Sequence, residues 1–325
     1  MAQMRFDSIE MLANSPWFAP SVMAGKTEEV IREFAGVNDL LTILPMRPGK
    51  LPFTFRDEIR QNVLTIAPRV SSAQDTPLDT MPYIDQVFVA YEARFGHVIS
   101  ERNADQAPDE INLSQRAQHR IGRAIANRIF YELFKVFRAF DNTNAAARFL
   151  PPVTKWTDPG SDPIRGIEVM RNYVGNLTGE ALDFLIMSRS INSALKIHPD
   201  VTTTTRNNLN AEFRNGDLVG LMGMKIIVVP EVQFTLPNGT VLPMYAPVTT
   251  SDAVVHQNYV IGGVGGRNLG YSGAVQTANP GGDGQAPIMR NYADTFNRRF
   301  GVMGFVEMVH VIQDWFSVTV LDGVI

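Results

Sequence analysis

The longest regular pattern in the chain runs from about Pro108 to Phe140, where Ala117, Ile121, Ile125, Ile129, Leu133 and Phe137 recur at every fourth residue. Ala124, Val136 and Phe140 broaden that stripe, which predicts one helix about 45 to 50 Å long at 1.5 Å per residue. Its other face is basic, with Arg116, His119, Arg120, Arg123, Arg128, Lys135 and Arg138.

A second block of signals runs from Trp156 to Val232. Asp162 can cap orphan amides and Pro163 has its φ already set, so a helix opens there and runs through Ile164, Ile167, Met170, Val174 and Leu177, with Gly175 and Gly179 closing it. The apolar run Ala181 to Met187 reads as a strand, and Ser188 caps a second helix that ends at His198-Pro199. Leu209 to Met222 reads as a third short amphipathic stretch. Met224 to Val229, six residues rich in β-branched side chains and ended by Pro230, reads as a buried strand.

Before the long helix the pattern is weaker. Residues 1 to 47 hold short helical candidates around Ser8 to Asn14 and Thr27 to Phe34, separated by Asn14, Pro16, Pro20 and Gly25, and read as an arm. From Pro48 to about His97, prolines at 48, 52, 68, 77 and 82 punctuate short alternating runs such as Phe53-Thr54-Phe55 and Val87-Phe88-Val89. That segment reads as an extended hairpin or flap, too interrupted to hold its own core, so it must lie on a neighbour or move. After Val229, Asn238-Gly239 predicts a hairpin between Phe234 to Leu236 and Val241 to Met244, and Val254 to Ile261 another strand. Residues 262 to 287 read as an exposed irregular loop. Arg298 to Val320 is nearly all strand formers, broken near Gln313-Asp314.

At 325 residues the chain favours two lobes over one. No stretch approaches the roughly 18 apolar residues of a membrane span, and the first residues lack the order of a signal peptide, so no membrane partner is expected. With no cysteine there is no disulfide, thiolate nucleophile or cysteine-bound zinc. The net charge of −4 gives no global argument for nucleic-acid binding.

Candidate chemistry is sparse. Gly270-Tyr271-Ser272-Gly273-Ala274 is similar to a degenerate nucleophile elbow, and Asp294 and His310 follow in hydrolase order. An elbow needs a strand before the serine and a helix after it, whereas this serine reads as part of a Gly-rich loop with Pro280-Gly281-Gly282 soon after. A serine hydrolase is therefore the remote alternative. Gly262-Gly263-Val264-Gly265-Gly266 lacks the spacing and the Lys-Ser/Thr pair of a phosphate loop. The histidines at 97, 119, 198, 256 and 310 have no HxxxH or HExxH spacing, and Glu307 and His310 fall on opposite faces of a strand. No catalytic, cofactor or metal residue is assigned. The basic helix face reads either as a solvated surface pairing with Glu110, Glu132 and nearby acids, or as a face set against polyanion or a second subunit's acids.

Taken in order, an arm, a Pro-punctuated flap, one very long helix, an α/β lobe and a late long strand resemble the major capsid protein of tailed bacteriophages with the Hong Kong 97 fold. The likeness is carried by Lys155-Trp156-Thr157-Asp158 with Ser161-Asp162-Pro163-Ile164, by Ser193-Ala194-Leu195-Lys196-Ile197-His198-Pro199-Asp200-Val201, by Leu218 through Val229, and by Phe300 to Val320. The resemblance implies an α+β, L-shaped subunit. Its N-terminal arm would be residues 1–47 and its extended loop 48–97, reaching over an adjacent subunit. A peripheral domain with a spine helix would take 98–148 and 288–312, and an axial α/β domain 149–287 and 313–325.

The same resemblance implies an icosahedral head shell, built of hexamers and pentamers around double-stranded DNA held by non-specific contact. It would be a virion component assembled in the host cytoplasm, with a portal protein and room for a decoration protein. An encapsulin-like nanocompartment shell is the alternative. Some relatives carry a scaffolding segment of about a hundred residues before the arm; with no such room before Pro48, scaffolding would be a separate protein, and the leading Met1 speaks against prior cleavage. Arg56, Asp57, Glu58 and Arg60 on the loop would make the intersubunit contact, and Arg116, Arg120 and Arg123 would form an inner basic face. Some members of the family join subunits by an isopeptide bond from an extended-loop lysine. Between Leu51 and Phe134 this chain has no lysine, and a guanidinium cannot replace a primary amine, so its shell would be non-covalent.

Overall fold

A computed structural model of the chain describes residues 12, 14–47, 54–58, 83–87, 90–100, 110–138, 149–150, 155–205, 211–236, 239–249, 255–266, 269–278, 286–294, 299–312 and 315–325. Its helices are α1 (Pro20–Arg32), α2 (Ala35–Ile43), α3 (Glu110–Arg138), α4 (Pro163–Thr178), α5 (Arg189–Ile197) and α6 (Pro199–Thr205). The first strands are β1 (Met46–Arg47), β2 (Thr54–Glu58), β3 (Tyr83–Val87), β4 (Tyr91–Ser100), β5 (Phe149–Leu150), β6 (Phe184–Ser188), β7 (Glu212–Arg214), β8 (Asp217–Leu221) and β9 (Met224–Val229). Then follow β10 (Gln233–Thr235), β11 (Val241–Pro243), β12 (Val248–Thr249), β13 (Val255–His256), β14 (Val260–Gly263), β15 (Gly270–Gln276), β16 (Ile288–Asp294), β17 (Arg299–Ile312) and β18 (Val318–Leu321). The chain divides into two units, one of Met1–Phe53, Phe88–Val136 and Tyr271–Val311, the other of Thr54–Val87, Phe137–Gly270 and Ile312–Ile325.

In the first unit, β17 is bordered by β16 and β4, both antiparallel to it, and the sheet continues through β15 to a parallel β1. Helix α3 lies directly on this sheet. A Cβ built on Gly304 of β17 would sit 2.8 Å from Ile121 and 2.9 Å from Met289 Sδ, so only hydrogen fits between helix and strand there. The fourfold stripe Ala117, Ile121, Ile125, Ile129, Leu133 and Phe137 is buried as the periodicity predicts. Its broadening runs the other way, however: Ala126, Phe130 and Phe134 are buried while Ala124 and Val136 are only half so. The reason is the N-terminal segment, whose α1 and α2 lie on that flank. Val30 approaches Gly122, and Phe130 fills the space beside Gly36 and stacks edgewise on Phe34 at 5.8 Å.

The N-terminal helices also differ from expectation. Pro20 does not separate elements but opens α1, where its missing N–H costs nothing, and Gly25 lies inside that helix. Ser8 to Asn14 lies largely outside the described residues. Phe18, Met23, Ile31, Val37 and Leu40 are all fully buried, and Phe18 meets Phe300 edge-on at 5.0 Å.

The second unit is built on a sheet in the order β5-β18-β14-β6-β9-β8-β7, with β6 parallel to β9 and β18 parallel to β5. Asp162 accepts the Arg165 amide at 2.8 Å to cap α4, and Gly179 ends it in the left-handed region at φ +78°. Ser188 caps α5 by accepting the Ile191 amide at 3.3 Å. Trp156, Ile167, Met170, Val174, Leu185, Met187, Ile191, Leu195 and Leu218 form one buried cluster.

Two further expectations fail. The stretch expected to be an amphipathic helix from Leu209 to Met222 is, over its described residues 211–222, the hairpin β7–β8, whose turn residues Asn215 and Gly216 take φ of +52° and +85°. Residues 262–287 are not one irregular loop, because β14 runs to Gly263 and β15 occupies Gly270–Gln276. Gly262 and Gly263 are packing glycines: a Cβ would meet Met170 Cε at 2.7 Å and the Ser317 carbonyl oxygen at 2.5 Å.

One buried amide ties helix to sheet. Asn192 on α5 donates to the Leu218 carbonyl at 2.8 Å and accepts the Leu218 amide at 3.2 Å, satisfying both backbone groups of that β8 residue away from water. Asn192→Leu leaves both unpaired, and a loss of about 2 to 4 kcal/mol is expected in urea unfolding against wild type; a change below about 0.5 kcal/mol would show that the bridge is not structural.

Candidate functional site

The basic face follows from the geometry of α3. Because Ile121 and Ile125 are turned into the sheet and Ile129 is buried, Arg116, Arg120 and Arg123 project outward and are all exposed, with His119 beside them. Glu132 does not reach this end, since its carboxylate takes Arg128 at 2.5 Å and Lys135 at 3.6 Å. Among the described residues no carboxylate pairs with Arg116, Arg120 or Arg123. The field is felt nearby: His97 on β4 has its pKa lowered, first by burial and then by the Arg120 charge. Like charges at i,i+4 and i,i+3 cost a helix a few tenths of a kcal/mol per pair.

The flap residues are placed by register. Strands β2 and β3 pair antiparallel, with Arg56 opposite Asp85, Asp57 opposite Ile84 and Glu58 opposite Tyr83. Arg60 lies outside the described residues.

The serine and histidine of the hydrolase alternative do meet, in a form that excludes the chemistry. Ser272 lies in the middle of β15, fully buried, with its amide donating to the Pro45 carbonyl at 3.0 Å. His310 Nδ1 is 2.8 Å from Ser272 Oγ, and its Nε2 is 2.6 Å from the Tyr91 hydroxyl, not from a carboxylate. Burial pushes the His310 pKa down to about 3 and raises that of Tyr91 well above its usual value. No substrate carbonyl reaches a serine in the centre of a sheet, and a base of that pKa takes no proton from it at neutral pH.

A second buried pair joins the segments that carry the family likeness. His198 Nδ1 accepts the Asp200 amide at 3.2 Å, which leaves the ring proton on Nε2, 3.0 Å from Ser161 Oγ. Ser161 in turn donates to the Asp158 carbonyl at 2.8 Å. The histidine thus donates toward the serine and cannot act as its base; it clasps the start of α4 to the α5–α6 corner. Among the described residues no three His, Asp or Glu side chains gather as a metal site, and no helix is long and apolar enough to cross a membrane.

No family model and no curated protein matches the sequence. Solved structures do match, over nearly the whole chain. A phage-related protein from Bordetella bronchiseptica RB50 superposes with a TM-score of 0.59 at 15% identity, covering 92% of this chain and 96% of that one. A virus-like particle from Pyrococcus furiosus gives 0.52 at 11% identity, with 92% and 98% covered. The chain has the Hong Kong 97 capsid fold. The holo encapsulin complex from Synechococcus elongatus PCC 7942, at 0.52, 14% identity and 88% and 86% coverage, shares it.

A third cluster lies on the sheet of the first unit. Phe305 of β17 is covered by two guanidiniums, Arg94 of β4 at 5.7 Å and Arg290 of β16 at 5.2 Å from its ring centroid. Three residues so far apart in sequence are brought together by register alone, and no local spacing signals them.

The buried His310 makes stability depend on pH. Between pH 6.5 and about 3 the unfolded chain binds a proton that the folded chain refuses, so stability is full above the ordinary histidine pKa and falls as pH drops through this window. At about 1.4 kcal/mol per pH unit the ceiling is about 5 kcal/mol. His310→Gln is less stable than wild type at pH 7 by about 1 to 3 kcal/mol, and that gap should move in the variant's favour by about 3 kcal/mol on going to pH 4, to parity with wild type or beyond, in paired urea titrations. A gap that does not change with pH would contradict the assignment.

Proposed function

We propose that this chain is the subunit of an icosahedral shell, and within that class the major capsid protein of a tailed phage head enclosing double-stranded DNA. The observation that carries the reading is fold agreement running end to end in both directions with a phage-related protein, a virus-like particle and an encapsulin complex. A serine hydrolase is disfavoured by the buried Ser272 and the acid-shifted His310.

Two features favour a subunit that is completed by neighbours. The ribbon β2–β3 is a two-stranded sheet, and such ribbons are marginal alone in water. The strip Arg116, Arg120 and Arg123 is a self-repelling cationic line with no described acid against it, which suits packaged DNA better than an enzyme cargo. On this reading 98–148 and 288–312 form the peripheral domain around α3, 149–287 and 313–325 the axial domain, 1–47 the arm and 48–97 the extended loop. Hexamers and pentamers, a separate scaffolding protein, a portal and a decoration protein are the matching partners, and assembly takes place in the host cytoplasm. The encapsulin-like alternative keeps the shell and changes only the content.

Electron microscopy of the expressed protein, with scaffold supplied, should show shells, and infected lysate should show angular heads with tails; a monomer under every condition contradicts the reading. Changing Arg116, Arg120 and Arg123 together to Gln should lower DNA retention and reduce the slope of log affinity against log salt by about two to three. Retention and slope equal to wild type would assign the strip to a solvated face. Mature particles boiled and run on a denaturing gel should give one band near 36.1 kDa, because no lysine stands between Leu51 and Phe134 to form an isopeptide link. A ladder surviving boiling would refute this, since no cysteine is present to explain it.

A further inference from the structure

Helix α3 crosses the sheet of the first unit with its two flanks turned to different neighbours. Residues opposite one another in register share a face of the sheet, so Gly304 with Phe95 lies on the α3 side, while Tyr292 and Val98, both half exposed, lie on the open face. Ile121 points down at Gly304, and Gly122 meets Val30 of α1, which lies over β16. Successive side chains turn by about 100° around a helix. Arg120 therefore leaves α3 on the flank away from α1, above β4, which borders β17 on the edge opposite β16.

An imidazole meets it there. Buried Ala93 and Ile99, with Phe95 opposite Gly304, fix the alternating set of β4 positions that faces the helix, and His97 belongs to that set. Strand β4 runs alongside α3 from this point, for at its other end Tyr91 stands in the field of Glu132 and Arg128. His97 is half-buried, and burial, followed by the Arg120 charge, holds its pKa below the ordinary value. Opposite it on β17 is Val302, between Phe300 and Gly304, all without charge. The titratable groups that α3 presents at this end are Arg116, His119, Arg120 and Arg123, and Glu28 and Glu29 of α1, on the far flank, pair with Arg32 and Lys26. Among the described residues no carboxylate acts on His97 or pairs with Arg120.

We propose that Arg120 and His97 form a phosphate-binding notch within the arginine strip, where a DNA phosphate is held between the guanidinium fork and a protonated imidazole. The inference rests on the DNA reading of the strip and adds to it a ligand from a second element and a dependence on pH. A phosphate charge offsets that of Arg120 and favours the imidazolium, so binding draws in a proton and gains a second charge-assisted hydrogen bond. Bound His97 keeps this proton to higher pH than free His97, so affinity is greatest in acid and falls as pH rises through the bound value. Arginines alone stay charged throughout and take up nothing.

Calorimetry of the full chain with a DNA duplex of about 20 base pairs, at about pH 6.5 in buffers of different ionisation heat, reads that proton directly. Wild type should take up about half a proton per bound subunit, and its affinity should fall about fivefold between about pH 6 and about pH 8. His97→Gln should take up almost none and show a flat profile, whereas Arg123→Gln should bind more weakly and keep the uptake. Should His97→Gln melt far below wild type, Arg120→Gln takes its place and should lose at least half of the uptake. Duplex binding by wild type without proton uptake, uptake that survives these changes, or uptake that vanishes instead in His119→Gln overturns the notch and leaves the DNA reading standing. A wild-type chain that binds no duplex at low salt overturns both.

Discussion

A helix of 29 residues with one continuous apolar face has to be buried along its whole length or it will not persist. Here the burying surface is β17, a strand of 14 residues flanked on both sides by antiparallel neighbours. The two fit because β17 loses its side chain at Gly304, where Ile121 and Ile125 descend. The N-terminal helices then close the remaining flank at Gly122 and Gly36, so helix α3 is held from two directions by approaches that admit no side chain. Everything the first unit presents to the outside, the arginine strip and the open sheet face alike, takes its direction from this contact.

The elements that could be read from the sequence are those whose signals are local. Asp162-Pro163, Ser188, the six residues of β9 and the isoleucines of α3 each announce themselves within a few positions, and the structure places caps and strands there. What could not be read depends on partners distant in sequence. Gly262 and Gly263 look like loop residues because glycine is common in loops, yet they are demanded by Met170, Phe184 and the Ser317 carbonyl across the sheet. The β7–β8 hairpin was hidden by a coincidence: its apolar residues, read without the Asn215-Gly216 turn, satisfy a helical spacing as well as a strand one. For the surfaces, the helical arginines were visible through periodicity, whereas the Arg94–Phe305–Arg290 stack exists only once β4 and β16 border β17.

Two serine–histidine pairs, neither arranged for catalysis, show why the residue types alone are a weak guide. In the first the imidazole is shut away from water and bonded to a phenol. In the second the backbone amide of Asp200 fixes the tautomer, so the ring offers a proton where a catalyst would need a lone pair. Both pairs do structural work, one between strands β4, β15 and β17, the other at the entrance to α4.

The close approach at Gly304 has a consequence for how such a chain can diverge. The volume that a methyl group would need at position 304 is occupied by Ile121 and by the sulfur of Met289, on two different elements. Alanine at that place needs both neighbours to give: the Met289 sulfur can swing aside, but Ile121, whose Cγ2 would be 2.8 Å away, has to become smaller for the layer spacing to hold. Substitution along this seam is therefore coupled in threes, whereas no packing contact of that kind constrains the exposed side of α3.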